Sequence, residues 1–128
     1  MSKMILFIDD DSDIVEVVKN RLESYRYTVI SADNGEDGIM MARQEKPDLI
    51  IMDILMPGMT GGEAVKLLQE DHTTQNIPTI FLTSLSSEIL YDKEGDKINI
   101  NGRFYTAVAK PFDPKRLMAV INGIIGDA

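Results

Sequence analysis

Five short apolar runs are spaced along the chain, and few polar residues interrupt them. Strands that are covered on both faces have this continuous pattern, whereas strands with one solvated face alternate apolar and polar residues. The pattern therefore predicts five buried strands, at residues 4–8, 27–31, 48–53, 77–83 and 105–110.

Four stretches between or after these runs have the spacing of amphipathic helices. In the first, Val15, Val18 and Leu22 recur at intervals of three and four residues, which places them on one helix face. The last begins with Asp113, a residue type that caps helices, and Pro114, which suits the first helical position. The predicted helices cover residues 12–25, 35–46, 61–71 and 113–125.

The alternation of strands and helices predicts the fold class. It favours a parallel sheet with right-handed crossovers and helices on both faces. Five such units indicate a flavodoxin-like, doubly wound α/β domain with strand order 2-1-3-4-5. Residues 84–104 fit the alternation poorly: a helical start near 86–91 is followed by either a loop or a small hairpin. No repeat or linker interrupts residues 1–128, so we expect a single domain.

Composition and charge narrow the classes of function. The chain has 128 residues, of which 44% are hydrophobic, and no cysteine; this is typical of a folded domain without disulfides or thiolate metal sites. We find no apolar stretch of about 18 residues and no signal peptide, and expect a cytoplasmic protein that does not enter membranes. The net charge of −8 opposes direct binding to nucleic acid and favours cations or basic protein surfaces.

Acidic, hydroxyl-bearing and lysine side chains lie at the ends of four of the predicted strands. Because the carboxyl ends of parallel strands meet at one edge of a sheet, we expect these side chains to share a crevice. The crevice would contain three carboxylates, a pair of hydroxyls and one ammonium group. They belong to Asp9, Asp10, Asp53, Thr83 with Ser84, and Lys110.

The predicted carboxylate cluster needs a cation. Two unit charges 4 Å apart repel by about 4 kcal/mol at a surface-like dielectric, and oxygen ligands completed by water suit Mg²⁺. A carboxylate can also attack phosphorus and form an acyl phosphate. Phosphoryl transfer depends mainly on positioning and on neutralisation of the phosphoryl oxygens, which Mg²⁺, Lys110 and the Thr83 hydroxyl would supply.

Four segments, in this order and spacing, resemble the receiver domain of response regulators, the phospho-accepting module of two-component signalling. They are ILFIDDDSDI (5–14), PDLIIMDILMPGMTGGE (47–63), PTIFLTS (78–84) and AKPFDPKRL (109–117). The resemblance covers essentially the whole chain. It implies that Asp53 is phosphorylated by a histidine kinase or a phosphotransfer protein, and that phosphorylation switches a surface that binds a downstream protein.

The resemblance also implies roles for the other residues of the crevice. Asp10 would bind Mg²⁺ directly, Asp9 directly or through water, and Asp53 together with the backbone carbonyl of Leu55 would complete the protein ligands. Thr83 would be the hydroxyl that moves to the phosphoryl group, and Lys110 its salt-bridge partner.

The expected catalysis is limited to the chain's own phosphorylation from a phosphodonor and a slow loss of the phosphoryl group, so we do not expect an enzyme. Leu55 and Leu85 lie two residues after Asp53 and Thr83, where side chains of the family can position the hydrolytic water. Apolar side chains cannot orient water by hydrogen bonding, which predicts slow self-dephosphorylation.

Two features depart from the family pattern. Receivers usually have Tyr or Phe three residues before the lysine, where this chain has Ala107. Tyr105 lies on the same strand face, about 6–7 Å further from the site. Either Tyr105 takes the place of the aromatic residue, or the coupling between the Thr83 hydroxyl and an aromatic side chain is absent. The segment between Thr83 and Lys110 is also longer than usual, and the output surface around helix four and strand five is expected to be remodelled. A receiver-fold scaffold that no longer switches is therefore the alternative function.

Enzymes with related chemistry fit the sequence less well. A hydrolase of the haloacid dehalogenase type needs a second acid two residues after its nucleophile, and Leu55 stands there. The glycine-rich nucleotide-binding patterns GxxxxGK and GxGxxG do not occur. Both classes are disfavoured by their chemistry.

Overall fold

The computed structural model describes residues 2–128 and contains seven strands and four helices in that range. The strands are Met4–Ile8 (β1), Thr28–Ala32 (β2), Leu49–Asp53 (β3), Thr79–Thr83 (β4), Ile89–Leu90 (β5), Lys97–Ile100 (β6) and Arg103–Ala109 (β7). The helices are Ser12–Ser24 (α1), Gly35–Glu45 (α2), Gly61–Glu70 (α3) and Pro114–Ile125 (α4), and Ser86–Glu88 forms one 3₁₀ turn. Within residues 2–128, no helix combines the length and the apolar character needed to cross a bilayer; the cytoplasmic location stays a prediction.

One sheet contains all the strands, in the order β2-β1-β3-β4-β7-β6-β5. The first five in this order are parallel, whereas β6 and β5 are antiparallel to their neighbours. The flavodoxin-like class and the strand order 2-1-3-4-5 are confirmed, with β7 as the fifth parallel strand. The predicted total of five strands is two too few, because β5 and β6 extend the sheet beyond β7.

The two additional strands come from the segment that fitted the alternation poorly. Asn101 and Gly102 have φ angles of 55° and 84° and form a two-residue turn between β6 and β7, the preferred hairpin turn of an Asn-Gly pair. Ile89 of β5 and Ile98 of β6 face each other and are buried in the core. Of the two open alternatives, the hairpin is therefore observed, and the predicted helical start is reduced to the 3₁₀ turn.

Two hydrophobic layers cover the sheet. Alternate residues of each strand point to opposite faces, so Leu6 of β1 packs in the layer with α2 and α3, whereas Phe7 packs in the layer with α1 and α4. Every residue of β3 and β4 is buried. The strands that end in Asp53 and Thr83 thus lie at the centre of the sheet, where packing holds their ends in place.

The amino end of α3 lies directly against the end of β3. Thr60 caps this helix and forms a capping box with Glu63. The Gly61 N–H donates to the Ile54 carbonyl at 2.8 Å, and a Cβ atom on Gly61 would lie only 2.5 Å from the Asp53 carbonyl oxygen. The missing side chain therefore allows α3 to approach the residue predicted to accept phosphate.

The tip of the β6–β7 hairpin also contacts α3. Asn101 Nδ2 donates to the Gly62 carbonyl at 3.1 Å, and Arg103 donates to Gln69 Oε1 at 2.8 Å. The connections between β1 and β2, β2 and β3, and β3 and β4 each contain an α-helix, but the one between β4 and β7 contains the 3₁₀ turn, β5 and β6. The surface predicted to be remodelled is thus built from strands.

Candidate phosphoryl-acceptor site

The carboxyl ends of four parallel strands bring the predicted residues together. Asp9 follows β1, Asp53 ends β3, Thr83 ends β4 and Lys110 follows β7. The Lys110 N–H donates to the Thr83 carbonyl at 2.8 Å, and the next peptide bond, to Pro111, is cis. The expected crevice therefore exists at the predicted edge of the sheet.

Lys110 joins two of the carboxylates. Its Nζ lies 2.9 Å from Asp9 Oδ2 and 3.1 Å from Asp53 Oδ2. Asp9 is only 1% exposed and Asp53 8%, so little water screens these contacts and the charges interact more strongly than they would at the surface. The ammonium group thus fixes the relative position of strands β1, β3 and β7 at this edge.

Burial and hydrogen bonding oppose each other in both groups of this pair, and the pKa of each lies above its ordinary value. Burial raises the pKa of Asp9, against the opposing effect of hydrogen bonds from the Asp11 N–H and from Lys110. Burial alone would lower the pKa of Lys110, but hydrogen bonds to Asp9 and Asp53 outweigh it and the pKa lies above its ordinary value. Lys110 is therefore a cation at neutral pH.

The carboxylates fit a divalent cation. One oxygen each of Asp9, Asp10 and Asp53 lies within 4.8 Å of the others, and Asp10 is exposed. The ammonium of Lys110 offsets only one of three negative charges, and carboxylate oxygens that leave room for water are the ligands that Mg²⁺ prefers. The neighbouring Asp11 instead caps α1 by accepting from the Asp13 and Ile14 N–H groups.

Thr83 and Leu55 complete the walls of the crevice. Thr83 is fully buried, and its Oγ1 accepts from the Leu85 N–H at 2.9 Å, which leaves the hydroxyl hydrogen to donate elsewhere. The Leu55 N–H donates to Asp53 Oδ1 at 3.3 Å, while its side chain is exposed. The role of the Leu55 carbonyl as a metal ligand stays a prediction.

Tyr105 packs one pleat away from the site. Its ring meets Phe81 edge to face, with centroids 5.4 Å apart, and the Arg103 guanidinium lies 5.9 Å from its centre. Ala107, the residue nearer to Thr83, is buried. The aromatic partner of Tyr105 is therefore Phe81, two residues before Thr83.

Sequence reasoning missed the role of Gly61. The pair Gly61–Gly62 was visible after Asp53, and two adjacent glycines at a helix start are a signal of close packing. That signal does not say which glycine touches β3, because the answer depends on how α3 rotates against the sheet.

Comparisons with known proteins identify the family. Residues 5–122 match the model of the response regulator receiver domain. Protein PilH of Pseudomonas aeruginosa is 37% identical over 124 residues, which cover 94% of this chain and 96% of PilH. The polar-differentiation response regulator DivK of Brucella anthropi is 30% identical over 129 residues, with 100% of each chain covered.

A solved structure gives the same fold. The receiver domain of the sensor histidine kinase PA1611 from Pseudomonas aeruginosa, solved with a magnesium ion coordinated in its active site cleft, has a TM-score of 0.84 and 24% identity. The likeness covers 99% of this chain and 100% of that one. This likeness confirms the fold, and the matches in sequence confirm the resemblance: the chain belongs to the response regulator receiver domain family.

Proposed function

We propose that this receiver accepts a phosphoryl group on Asp53 and that phosphorylation switches a protein-binding surface. The contact of Lys110 Nζ with both Asp9 and Asp53, at 2.9 and 3.1 Å, is the observation that carries the proposal. The contact leaves a cation beside a carboxylate oxygen of Asp53, in a crevice that holds three carboxylates. A purely structural ion pair would need only one carboxylate, so the surplus of acids supports a phosphoryl-accepting role.

In the proposed step, a carboxylate oxygen of Asp53 forms a bond to the phosphorus of a phosphohistidine. The bond between phosphorus and the imidazole nitrogen breaks, its electron pair stays on that nitrogen, and a proton from solvent then neutralises it. Lys110 is placed to pair with a phosphoryl oxygen, and the Thr83 hydroxyl has a hydrogen left to donate to another. The product is an acyl phosphate.

Asp9, Asp10 and Asp53 would hold a Mg²⁺ ion, as their oxygen donors favour. When bound, the ion neutralises charge on the phosphoryl oxygens. The buried Asp9 carboxylate is oriented for this purpose by the Asp11 N–H at 2.9 Å and by Lys110. We further propose that the chain's only catalysis acts on its own Asp53.

The donor is proposed to be a histidine kinase or a phosphotransfer protein. The exposed Val17 and the neighbouring Ile14 and Phe112 line an open cavity of about 480 Å³ that also reaches Lys110. A protein that brings its histidine to Asp53 would cover this apolar rim. The downstream partner is a protein that distinguishes the two phosphorylation states.

Incubation with acetyl phosphate and Mg²⁺ is expected to add one phosphoryl group, measured as an increase in intact mass. Asp53→Asn should abolish the increase, because the amide is a far weaker nucleophile than the carboxylate. Asp92→Asn, which alters a carboxylate in an exposed turn, should leave the labelling unchanged. Equal labelling of Asp53→Asn and the native chain would show that another residue is the acceptor.

Leu55→Asn is expected to shorten the half-life of the phosphorylated protein severalfold. The native side chain is exposed beside Asp53 and cannot orient water, whereas an amide can donate to and accept from the attacking water. Loss of the phosphoryl mass over time gives the rate. The matched change Leu90→Asn, at another exposed leucine, should not alter the half-life; if both variants behave alike, Leu55 does not limit hydrolysis.

A non-switching scaffold is the second candidate, and Ala107, which pairs with Phe81 and stands where the family usually has Tyr or Phe, favours it. The two candidates differ in their response to Mg²⁺. An ion that binds the folded site at 100 times its dissociation constant stabilises the protein by about 2.7 kcal/mol, so a working receiver should melt at a higher temperature with Mg²⁺ than with chelator. Asp10→Asn should reduce the shift. No shift in the native chain would favour the scaffold.

A further inference from the structure

A groove of about 640 Å³ runs between α1 and α2, past the carboxyl end of β2. The two helices lie on opposite faces of the sheet, and β2 is an edge strand, so the groove crosses the sheet edge. Its apolar lining consists of Val15, Met40, Met41 and the small side chain of Ala32. Met40 is 54% exposed, which leaves a flexible apolar side chain available for contact.

The rim of this α1–α2 groove is acidic. It carries the carboxylates of Glu16, Asp33 and Asp37 and a single ammonium group, that of Lys19, which gives a net charge of −2. Asp9 lies at the inner end of the groove, but its charge is already paired with Lys110. The rim therefore attracts cationic groups and repels anions.

Two of the rim carboxylates are held in place by the cap of α2. Asn34 Nδ2 donates to Asp33 Oδ1 at 2.7 Å and to Asp37 Oδ2 at 2.9 Å, while Asn34 Oδ1 accepts from the Asp37 N–H. Side chains that are ordered before binding lose less conformational entropy when a partner arrives. The acidic rim is thus preorganised over an apolar floor.

We propose that the α1–α2 groove docks a basic segment of a partner protein, in which lysine or arginine residues flank a large apolar side chain. The apolar side chain would pack on Met40 and Val15, and the cations would pair with the rim carboxylates. A second copy of this chain is disfavoured, because each copy carries a net charge of −8. The proposal does not rest on phosphorylation, since none of the three rim carboxylates belongs to the Lys110 crevice.

The probe is an acetylated and amidated peptide of alternating arginine, lysine and leucine with one central phenylalanine. Amide chemical shifts of the full chain are followed by NMR as the peptide is added, without Mg²⁺ or phosphodonor. We expect perturbations along α1, α2 and the end of β2, and weaker binding at higher salt because the rim is exposed. A counterpart peptide with glutamate in place of every cation should not bind.

Two substitutions separate the apolar floor from the charged rim. Met40→Gln should weaken the basic peptide about tenfold, as expected when one buried apolar contact is lost, and Glu16→Gln should weaken it severalfold. The matched controls are Leu90→Gln, at a leucine that is 56% exposed on β5, and Glu88→Gln. Because all four positions are exposed, the variants should fold, as circular dichroism can verify.

The proposal is overturned if the basic peptide does not bind, if it perturbs residues outside the α1–α2 groove, or if the acidic peptide binds equally well. Equal affinities of Met40→Gln and Leu90→Gln would also overturn it. Labelling of Asp53 by acetyl phosphate is measured separately, so failure of the docking proposal and failure of the phosphorylation proposal give different results.

Discussion

Gly61→Ala is expected to lower the free energy of unfolding by about 3 kcal/mol or more, the upper range for atoms forced into a well-packed site. The new Cβ would lie 2.5 Å from the Asp53 carbonyl oxygen and 2.8 Å from Ile54 Cα. Both are backbone atoms at the end of a buried strand, so no flexible side chain can move aside. Urea denaturation measures the loss.

The neighbouring glycine provides a matched control within the same helix turn. A Cβ on Gly62 would lie 3.4 Å from Ile100 Cγ2, an ordinary contact, and alanine is favoured over glycine inside helices by about 1 kcal/mol. Gly62→Ala should therefore be neutral or slightly stabilising. If both variants lose the same free energy, the close approach of α3 to Asp53 is not what constrains residue 61.

Lys110→Met is the second large effect, with an expected loss of about 3–5 kcal/mol in chelator at neutral pH, the range for a buried ion pair that loses one partner. The substitution shortens the side chain by one atom and removes the only charge that contacts both Asp9 and Asp53 among the described residues. Two adjacent carboxylates, one of them 1% exposed, are then left to repel each other.

A double substitution tests this explanation. Adding Asp9→Asn to Lys110→Met removes the buried uncompensated charge and should recover much of the loss, so that the two changes are strongly non-additive. Lys115→Met, at an exposed lysine at the start of α4, should change stability by less than about 1 kcal/mol, as is usual at the surface. A loss of that small size for Lys110→Met would mean that water screens the crevice.

The parallel part of the sheet and the crevice were predictable because both depend on local pattern. Strands buried on two faces have continuous apolar runs, and each run stops where a polar side chain must reach the edge. That rule placed Asp53 at the end of β3 and Lys110 just after β7. Because the strand ends meet at one edge of the sheet, side chains that are far apart in the sequence come together. Asp9 and Lys110, for example, are separated by 101 residues.

The hairpin and the approach of α3 were less predictable. The Asn101–Gly102 pair is a strong hairpin signal, but β5 is only two residues long, and its pairing depends on Ile89 and Ile98 being buried by the rest of the fold. The contact of Gly61 with β3 depends on the rotation of a whole helix against the sheet. Such features follow from tertiary packing, which a local window of sequence does not contain.

The shortness of β5 also protects the outer border of the sheet. A strand that ends a sheet exposes unpaired backbone groups on which another chain can assemble. Here that border presents Ile89 and Leu90 of β5 and, beyond them, Asn99 and Ile100 of β6, and the charged residues Asp92, Lys93 and Glu94 follow β5 almost at once. The two added strands therefore leave only a short, interrupted edge on which fibrils would have to grow.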